Sequence, residues 1–185
     1  PRAGTKTPFS MRKLSTLRVC AIATSLFLGN GLVSAQVTLG SSPYTQNFDG
    51  IGSGLPTGWT VRTGASATAL GTSQTFTTAT SAWAGTGTGF RNSASADSPS
   101  ASGDVAATQA GRSDRSVGVR QGGSFGDPGA AFVLQIANTT GLTNFDLSFK
   151  LQSLDASSPR IATWRVDYAF GATPTSFTAA TTSPA

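Results

Sequence analysis

The clearest pattern in the chain is a strict alternation of large apolar and polar side chains over residues 145–152. The polar positions include Asp146 and Lys150, and the apolar positions are Phe145, Leu147, Phe149 and Leu151. Neighbouring side chains of a β-strand point to opposite faces. The pattern therefore predicts a strand that buries Phe149 in a core and leaves Lys150 in solvent.

Further strands are predicted from weaker alternation in five other segments. In residues 162–170 we expect four side chains to face inward: Trp164, Val166, Tyr168 and Phe170. A third strand is expected around Phe132, Leu134 and Ile136, and a fourth around Val117 and Val119. Two shorter strands are predicted near the start, at residues 44–49 and 59–63.

The segments between these strands favour an all-β fold. Turn residues connect the later strands at 126–129, 138–141 and 157–159, and no apolar period of 3.6 residues occurs after the leader. Strands joined by short turns without helical crossovers predict an antiparallel β-sandwich or jelly roll. We expect residues 93–112, rich in Ser, Ala and Gly, to form a long surface loop. Residues 172–185 show no closing strand, so we expect the sandwich to be truncated at its C-terminal end.

The first 35 residues have the organisation of an export signal. Met11 is followed by Arg12 and Lys13, then by an apolar run over residues 19–28 and by small residues at 33–35. This order predicts a helical signal peptide at 11–35 and cleavage before Gln36. Residues 1–10 are then upstream translated sequence, and 36–185 form one secreted module. The apolar run is too short for a membrane span, so we expect no span after signal removal.

The charges exclude a nucleic-acid-binding function. The 13 basic and 8 acidic residues give a net charge of +5, but five of the basic residues lie in the leader. The remaining eight basic residues equal the acidic ones, so residues 36–185 are neutral. Nucleic-acid binding needs clustered basic residues on the folded part of a protein.

The residue inventory also argues against catalysis by this segment. The chain has no His, which removes the Ser-His-Asp triad and a histidine-ligated zinc site, and its single Cys lies in the leader. A Ser-Lys pair would depend on Lys150, which the strand pattern places in solvent. Paired-carboxylate chemistry needs two acids in one cleft, whereas Asp146 and Asp167 are expected on outward faces. We expect those two acids to form a charged row with Lys150 and Arg165.

Several segments that follow the leader resemble those of a known family. Residues 47–50 (NFDG) and 54–61 (GLPTGWTV) resemble the opening of cleaved-adhesin-type jelly-roll modules in secreted Bacteroidetes proteins. Residues 114–120, 127–134 and 148–154 are similar to a subgroup of N-terminal modules of unknown function in type IX secretion proteins. The resemblance implies a β-sandwich, a role in adhesion or binding, and in some members a structural calcium ion. Asp49 is the residue that matches the acidic position.

The predicted function is a non-catalytic extracellular or cell-surface module for adhesion or glycan binding, within a larger secreted protein. Trp59 and Trp83 are the candidate sugar platforms, although tryptophans at such positions also serve as core or rim packing. Asp49 is the candidate metal ligand. Two alternatives remain: an accessory N-terminal module of a secreted hydrolase whose catalytic domain follows residue 185, or a structural spacer.

Overall fold

A computed structural model describes residues 35–82, 87–95, 104–152 and 162–181, and they all belong to one unit, Ser34–Ala185. The predicted upstream segment 1–10, nearly all of the predicted signal peptide and the candidate Trp83 lie outside the described residues. Within the described part of the chain, no helix is long and apolar enough to cross a membrane.

The described residues are mostly short strands, which confirms the all-β class. In chain order the strands are β1 (Trp59–Thr63), β2 (Thr72–Ser73), β3 (Phe76–Thr77), β4 (Gly89–Ala94), β5 (Arg115–Arg120), β6 (Ala131–Leu134), β7 (Asp167–Tyr168) and β8 (Thr178–Ala179). The helical elements are a 3-10 turn at Ile51–Ser53 and a short helix, α1, at Ala106–Gly111.

The first sheet contains β1 at its centre, between β2 and β6. Both neighbours are antiparallel to β1, and Val61 lies opposite Phe132. Val37 extends the sheet beyond β6: its amide donates to the Gln135 carbonyl at 2.8 Å, and its carbonyl accepts from the Ala137 amide at 2.8 Å. The predicted strand at 59–63 is confirmed. The strand predicted around residues 132–136 is confirmed as β6, with Ile136 in an isolated bridge to Val37.

The second sheet has the order β3-β4-β5. Six residue pairs join β4 and β5 in antiparallel register, with Phe90 opposite Val119, whereas β3 runs parallel to β4. The fourth predicted strand, around Val117 and Val119, is confirmed as β5. Residue Gly118 in the middle of β5 faces β4 so closely that a Cβ would collide with the Ser93 side chain.

The prediction of a surface loop at 93–112 is wrong for part of the segment. Ser93 and Ala94 are buried in β4, and residues 106–111 form α1. The reason is tertiary hydrogen bonding: the Gln109 side chain of α1 accepts from the Ala94 amide at 2.9 Å. A contact between residues 15 positions apart leaves no periodic trace in the sequence.

Aromatic side chains join the two larger sheets. Phe90 of β4 is 0% exposed, and its ring centroid lies 5.6 Å from Phe125 and 5.7 Å from Phe132 of β6. Phe132 in turn stacks on Trp164, with ring centroids 5.6 Å apart and planes 8° apart. Ile51, Val61 and Ala94 are buried as well. The core is therefore an aromatic contact between sheets, supported by small and branched aliphatic residues.

The strand predicted at 145–152 is wrong. These residues are assigned to no strand, and the four apolar side chains of the pattern are between 52% and 64% exposed. Phe149 was expected in the core and is 60% exposed, whereas Lys150 is exposed as expected. The alternation is present, but no other strand of the described residues lies beside it to receive its apolar face.

The strand predicted at 162–170 is reduced to β7, which pairs with β8. Trp164 and Val166 are half-buried, but Tyr168 and Phe170 are exposed, contrary to expectation. Residues 172–185 were expected to contain no strand, yet β8 lies there. The pairing of β7 with β8 covers only two residues, and Tyr168 and Phe170 lie outside the part of the segment that packs on Phe132 through Trp164.

Candidate aromatic binding site

The segment predicted as a strand at 44–49 is instead a tight turn leading into the 3-10 turn. The Phe48 amide donates to Gln46 Oε1 at 2.8 Å, and the Asp49 amide donates to Asn47 Oδ1 at 3.2 Å. The Ile51 amide then donates to the Phe48 carbonyl at 3.1 Å. These local bonds compete with sheet pairing, as Asn and Asp side chains commonly do. The strand prediction at 44–49 is therefore wrong.

Phe48 occupies an unusual backbone conformation within this turn. Its φ is 63°, in the left-handed region that a bulky side chain rarely adopts. Strained residues of this kind cluster at ligand sites, where the surrounding structure holds them in place. In this chain the strain directs the Phe48 ring toward Trp59.

Three aromatic side chains meet beside the turn. The ring centroids of Phe48 and Trp59 lie 4.9 Å apart with planes at 78°, an edge-to-face contact. The indole Nε1 of Trp59 donates to the hydroxyl of Tyr44 at 2.9 Å. Trp59 is half-buried, and Tyr44 is 37% exposed. We call Tyr44, Phe48 and Trp59 the aromatic cluster.

The first residue of β1 positions Trp59 in this cluster. The Trp59 amide donates to the Pro56 carbonyl at 3.0 Å, closing a turn through Gly58. The φ of Gly58 is 83°, and a Cβ there would lie 2.7 Å from Val37 Cγ2. Only glycine allows the chain to reach β1 at this angle while Val37 packs against it.

Asp49 fastens the turn to the second sheet. Its Oδ1 accepts from the Arg115 amide of β5 at 3.0 Å, and its Oδ2 accepts from Asn47 Nδ2 at 2.6 Å. The carboxylate therefore links the aromatic cluster's turn to a strand 66 positions away in the sequence. Of the predicted site residues, Trp59 contacts the ring of Phe48 and Asp49 follows Phe48 in the turn, whereas Trp83 lies outside the described residues.

The donor set around Asp49 does not fit a calcium ion. Calcium takes six to eight oxygen ligands, usually from several carboxylates. Asp49 supplies a single carboxylate, and the described residues contain no group of three or more His, Cys, Asp or Glu side chains that could hold a metal ion. The observed role of Asp49 is to hold the turn in place by its hydrogen bonds to Asn47 and to the Arg115 amide.

Arg115, whose amide binds Asp49, is also the centre of a buried polar network. The Arg115 guanidinium donates to Asn92 Oδ1 at 2.8 Å, to the Asn92 carbonyl at 3.1 Å and to the Arg112 carbonyl at 3.2 Å, and it also donates to the Gln109 carbonyl. Burial lowers the pKa of Arg115 from its ordinary value. Because its donors face protein oxygens, the Arg115 side chain joins β4, β5 and α1, while its backbone amide holds the Asp49 carboxylate of the turn.

Sequence analysis missed this network and the partners of Trp59. Arg115 lies in a polar run, and nothing in the local pattern marks it as buried. Tyr44 and Phe48 were assigned to a strand, so their contact with Trp59 was not foreseen. The one available signal was the dense sequence of aromatic and amide side chains over residues 44–49.

The predicted charged row is present only in part. Arg165 Nε lies 2.7 Å from Asp167 Oδ2, so these two residues form an ion pair along one extended segment. Asp146 and Lys150 are exposed and take no part in that pair. Surface pairs of this kind contribute little to stability.

A second concave region lies between β7 and β8. It is an open depression of about 450 Å³ lined by residues 168–178, in which Tyr168 and Phe170 contact each other edge to face. No charged side chain lines it. It offers aromatic surface without the rigid support that β1, the turn and Asp49 give to the aromatic cluster.

Comparisons of the chain with protein-family models, with curated proteins and with solved structures gave no significant match.

Proposed function

We propose that this chain is a non-catalytic, secreted β-sandwich module of the adhesin-like type that binds glycans through the aromatic cluster. The single observation that carries the proposal is the contact of Tyr44, Phe48 and Trp59 at a partly exposed surface. The leader pattern supports secretion, and the contact of Phe90 with Phe132 between two sheets supports a sandwich.

The chemistry of the aromatic cluster suits a sugar ring. Aromatic faces bury the apolar C–H faces of pyranose rings, and nearby polar groups bond to the hydroxyls. The indole N–H of Trp59 is already bonded to Tyr44, which fixes the orientation of the indole ring before a ligand arrives. Gln46 and Asn47 lie on the adjoining turn and supply amide groups at its edge. Pre-organised side chains lose less conformational freedom on binding.

The residue inventory supports binding without turnover. The chain has no His and no Glu, and its Asp49 carboxylate accepts hydrogen bonds within the protein. A general base near neutral pH needs a group with a matched pKa beside the substrate. The aromatic cluster contains no such group, so we expect a bound glycan to leave unchanged.

The test is binding of the secreted protein to a panel of soluble polysaccharides, measured by affinity electrophoresis and by quenching of tryptophan fluorescence. We expect binding to at least one glycan, with an affinity at least about tenfold lower for Trp59→Ala, since stacking on one aromatic ring is typically worth more than about 1 kcal/mol. Tyr44→Ala should also weaken binding, and it avoids altering β1.

The matched control is Phe170→Ala, which removes an aromatic ring that is 74% exposed and lies outside the aromatic cluster. This variant should bind as the unaltered protein does. Absence of binding across the panel, or equal binding by Trp59→Ala and Phe170→Ala, would refute the assignment. Release of reducing sugar during the assay would refute the non-catalytic part of it.

A further inference from the structure

Residues 145–151 belong to no helix or strand, and no strand of the described residues pairs with them. The segment has no backbone hydrogen bond to another described residue, and both its apolar and its polar side chains are exposed. A segment with the alternation of a strand, whose amides and carbonyls make no backbone bond within the described residues, can become a strand by pairing with another one. We call residues 145–151 the open strand.

The geometry points to a second copy of this chain as the occupant: we propose that two open strands pair antiparallel about a two-fold axis at Ser148. The interface would be isologous, with the same seven residues contributed by each copy. This proposal does not depend on glycan binding, because no residue of the aromatic cluster belongs to the open strand.

The sequence of the open strand is complementary to itself in this arrangement. On the apolar side Phe145 would lie opposite Leu151 of the other copy, and Leu147 opposite Phe149. On the polar side Asp146 would lie opposite Lys150. Because of the two-fold symmetry, each of these pairs occurs twice in the dimer. Aromatic–aliphatic pairs and opposite charges are the cross-strand pairs that stabilise antiparallel strands.

Other registers lose this complementarity. A shift of the pairing register by one residue places apolar side chains opposite polar ones, because successive side chains of a strand point to opposite faces. A shift of the axis to Leu147 places Asp146 opposite Ser148, and a shift to Phe149 places Lys150 opposite Ser148. In a parallel pair in register, Asp146 would face Asp146 and Lys150 would face Lys150. Only the antiparallel register centred on Ser148 matches both apolar and charged positions.

The charges provide a direct test in the full-length secreted protein. Asp146→Lys and Lys150→Asp each place like charges opposite one another, so each should weaken the dimer by about tenfold or more in sedimentation velocity over a concentration series. The double variant exchanges the two charges and restores opposite pairs. We expect it to dimerise within about threefold of the unaltered protein. Both side chains are exposed, so these changes leave the fold of each copy intact.

The register has its own test by cross-linking. Residues directly opposite in an antiparallel pair have the separation that a disulfide requires. Ser148→Cys, in a chain with Cys20→Ser, should therefore give a covalent dimer under mild oxidation. The control Leu142→Cys is also exposed but lies outside the open strand, so it should give no covalent dimer under the same oxidation.

Three results would overturn the proposal. The first is a protein that stays monomeric up to about 100 µM, a concentration at which a dimer with a Kd of about 10 µM would be mostly assembled. The second is a dimer that ignores the charge exchange or that Ser148→Cys does not cross-link. The third is slow hydrogen exchange of the 145–151 amides in the monomer, which would mean that another part of the same chain covers the open strand.

Discussion

The structure gives two phenylalanines, Phe90 and Phe149, opposite environments. Phe90 is 0% exposed and contacts Phe125 and Phe132, whereas Phe149 is 60% exposed. We predict that Phe90→Ala lowers the free energy of unfolding strongly and that Phe149→Ala hardly changes it when the protein is dilute.

The magnitude follows from the area that each ring hides. A buried aromatic side chain removes about 150–250 Å² from water, and at about 25 cal/mol per Å² this is worth about 4–6 kcal/mol. Measured Phe→Ala costs in cores of about 3–5 kcal/mol agree with this range. Loss of the edge-to-face contacts adds to the cost for Phe90. Phe149 keeps most of its surface in water, so we expect a change within about 0.5 kcal/mol.

The assay is urea unfolding followed by tryptophan fluorescence, at about 1 µM protein to keep the open strands apart. The difference between the two variants should exceed about 2.5 kcal/mol. Equal costs would mean that the open strand packs within the same copy, which would refute both its assignment as exposed and the proposed dimer. A small cost for Phe90→Ala would instead refute the aromatic core.

Three further changes test the support of the aromatic cluster. Gly58→Ala should cost about 1–3 kcal/mol in urea unfolding, because its φ is 83° and a Cβ would collide with Val37; Gly40→Ala, with open space around it, should cost within about 0.5 kcal/mol. Arg115→Met should cost at least about 2 kcal/mol, because it leaves buried carbonyls without donors, and a cost below about 1 kcal/mol would contradict the network. Added calcium or chelator should leave the melting temperature unchanged, because among the described residues no further acidic group joins Asp49; a rise in the melting temperature with calcium would contradict this and support a metal site.

The sequence was most informative where local chemistry is sufficient. Turns at 126–129 and 138–141 are present, and each depends on nearby residues: the Ala130 amide donates to the Gly126 carbonyl at 3.1 Å, and the Thr140 amide donates to Asn138 Oδ1 at 2.9 Å. The strands β1, β5 and β6 followed from alternation. Trp59 was identified as a candidate because the faces of aromatic side chains bind sugar rings.

Only part of the candidate site could be predicted from the sequence. Trp59 and Asp49 were both named, but the side chains that contact them, Tyr44, Phe48 and Asn47, were placed in a strand. Asp49 was interpreted as a metal ligand because it matches an acidic position of the family that the sequence resembles. In the structure its oxygens accept hydrogen bonds from Asn47 Nδ2 and from the amide of Arg115.

By itself the sequence determined the all-β class, the neutral charge after the leader and the absence of histidine chemistry, because these depend on composition and on a period of two. Only the tertiary structure decided which of the alternating segments pair with other strands. β4 pairs with β5 and is buried although its residues are largely polar, since Asn92 and Ala94 bond to distant groups. Residues 145–151 alternate perfectly and remain open, because alternation defines a face but does not provide the surface that covers it.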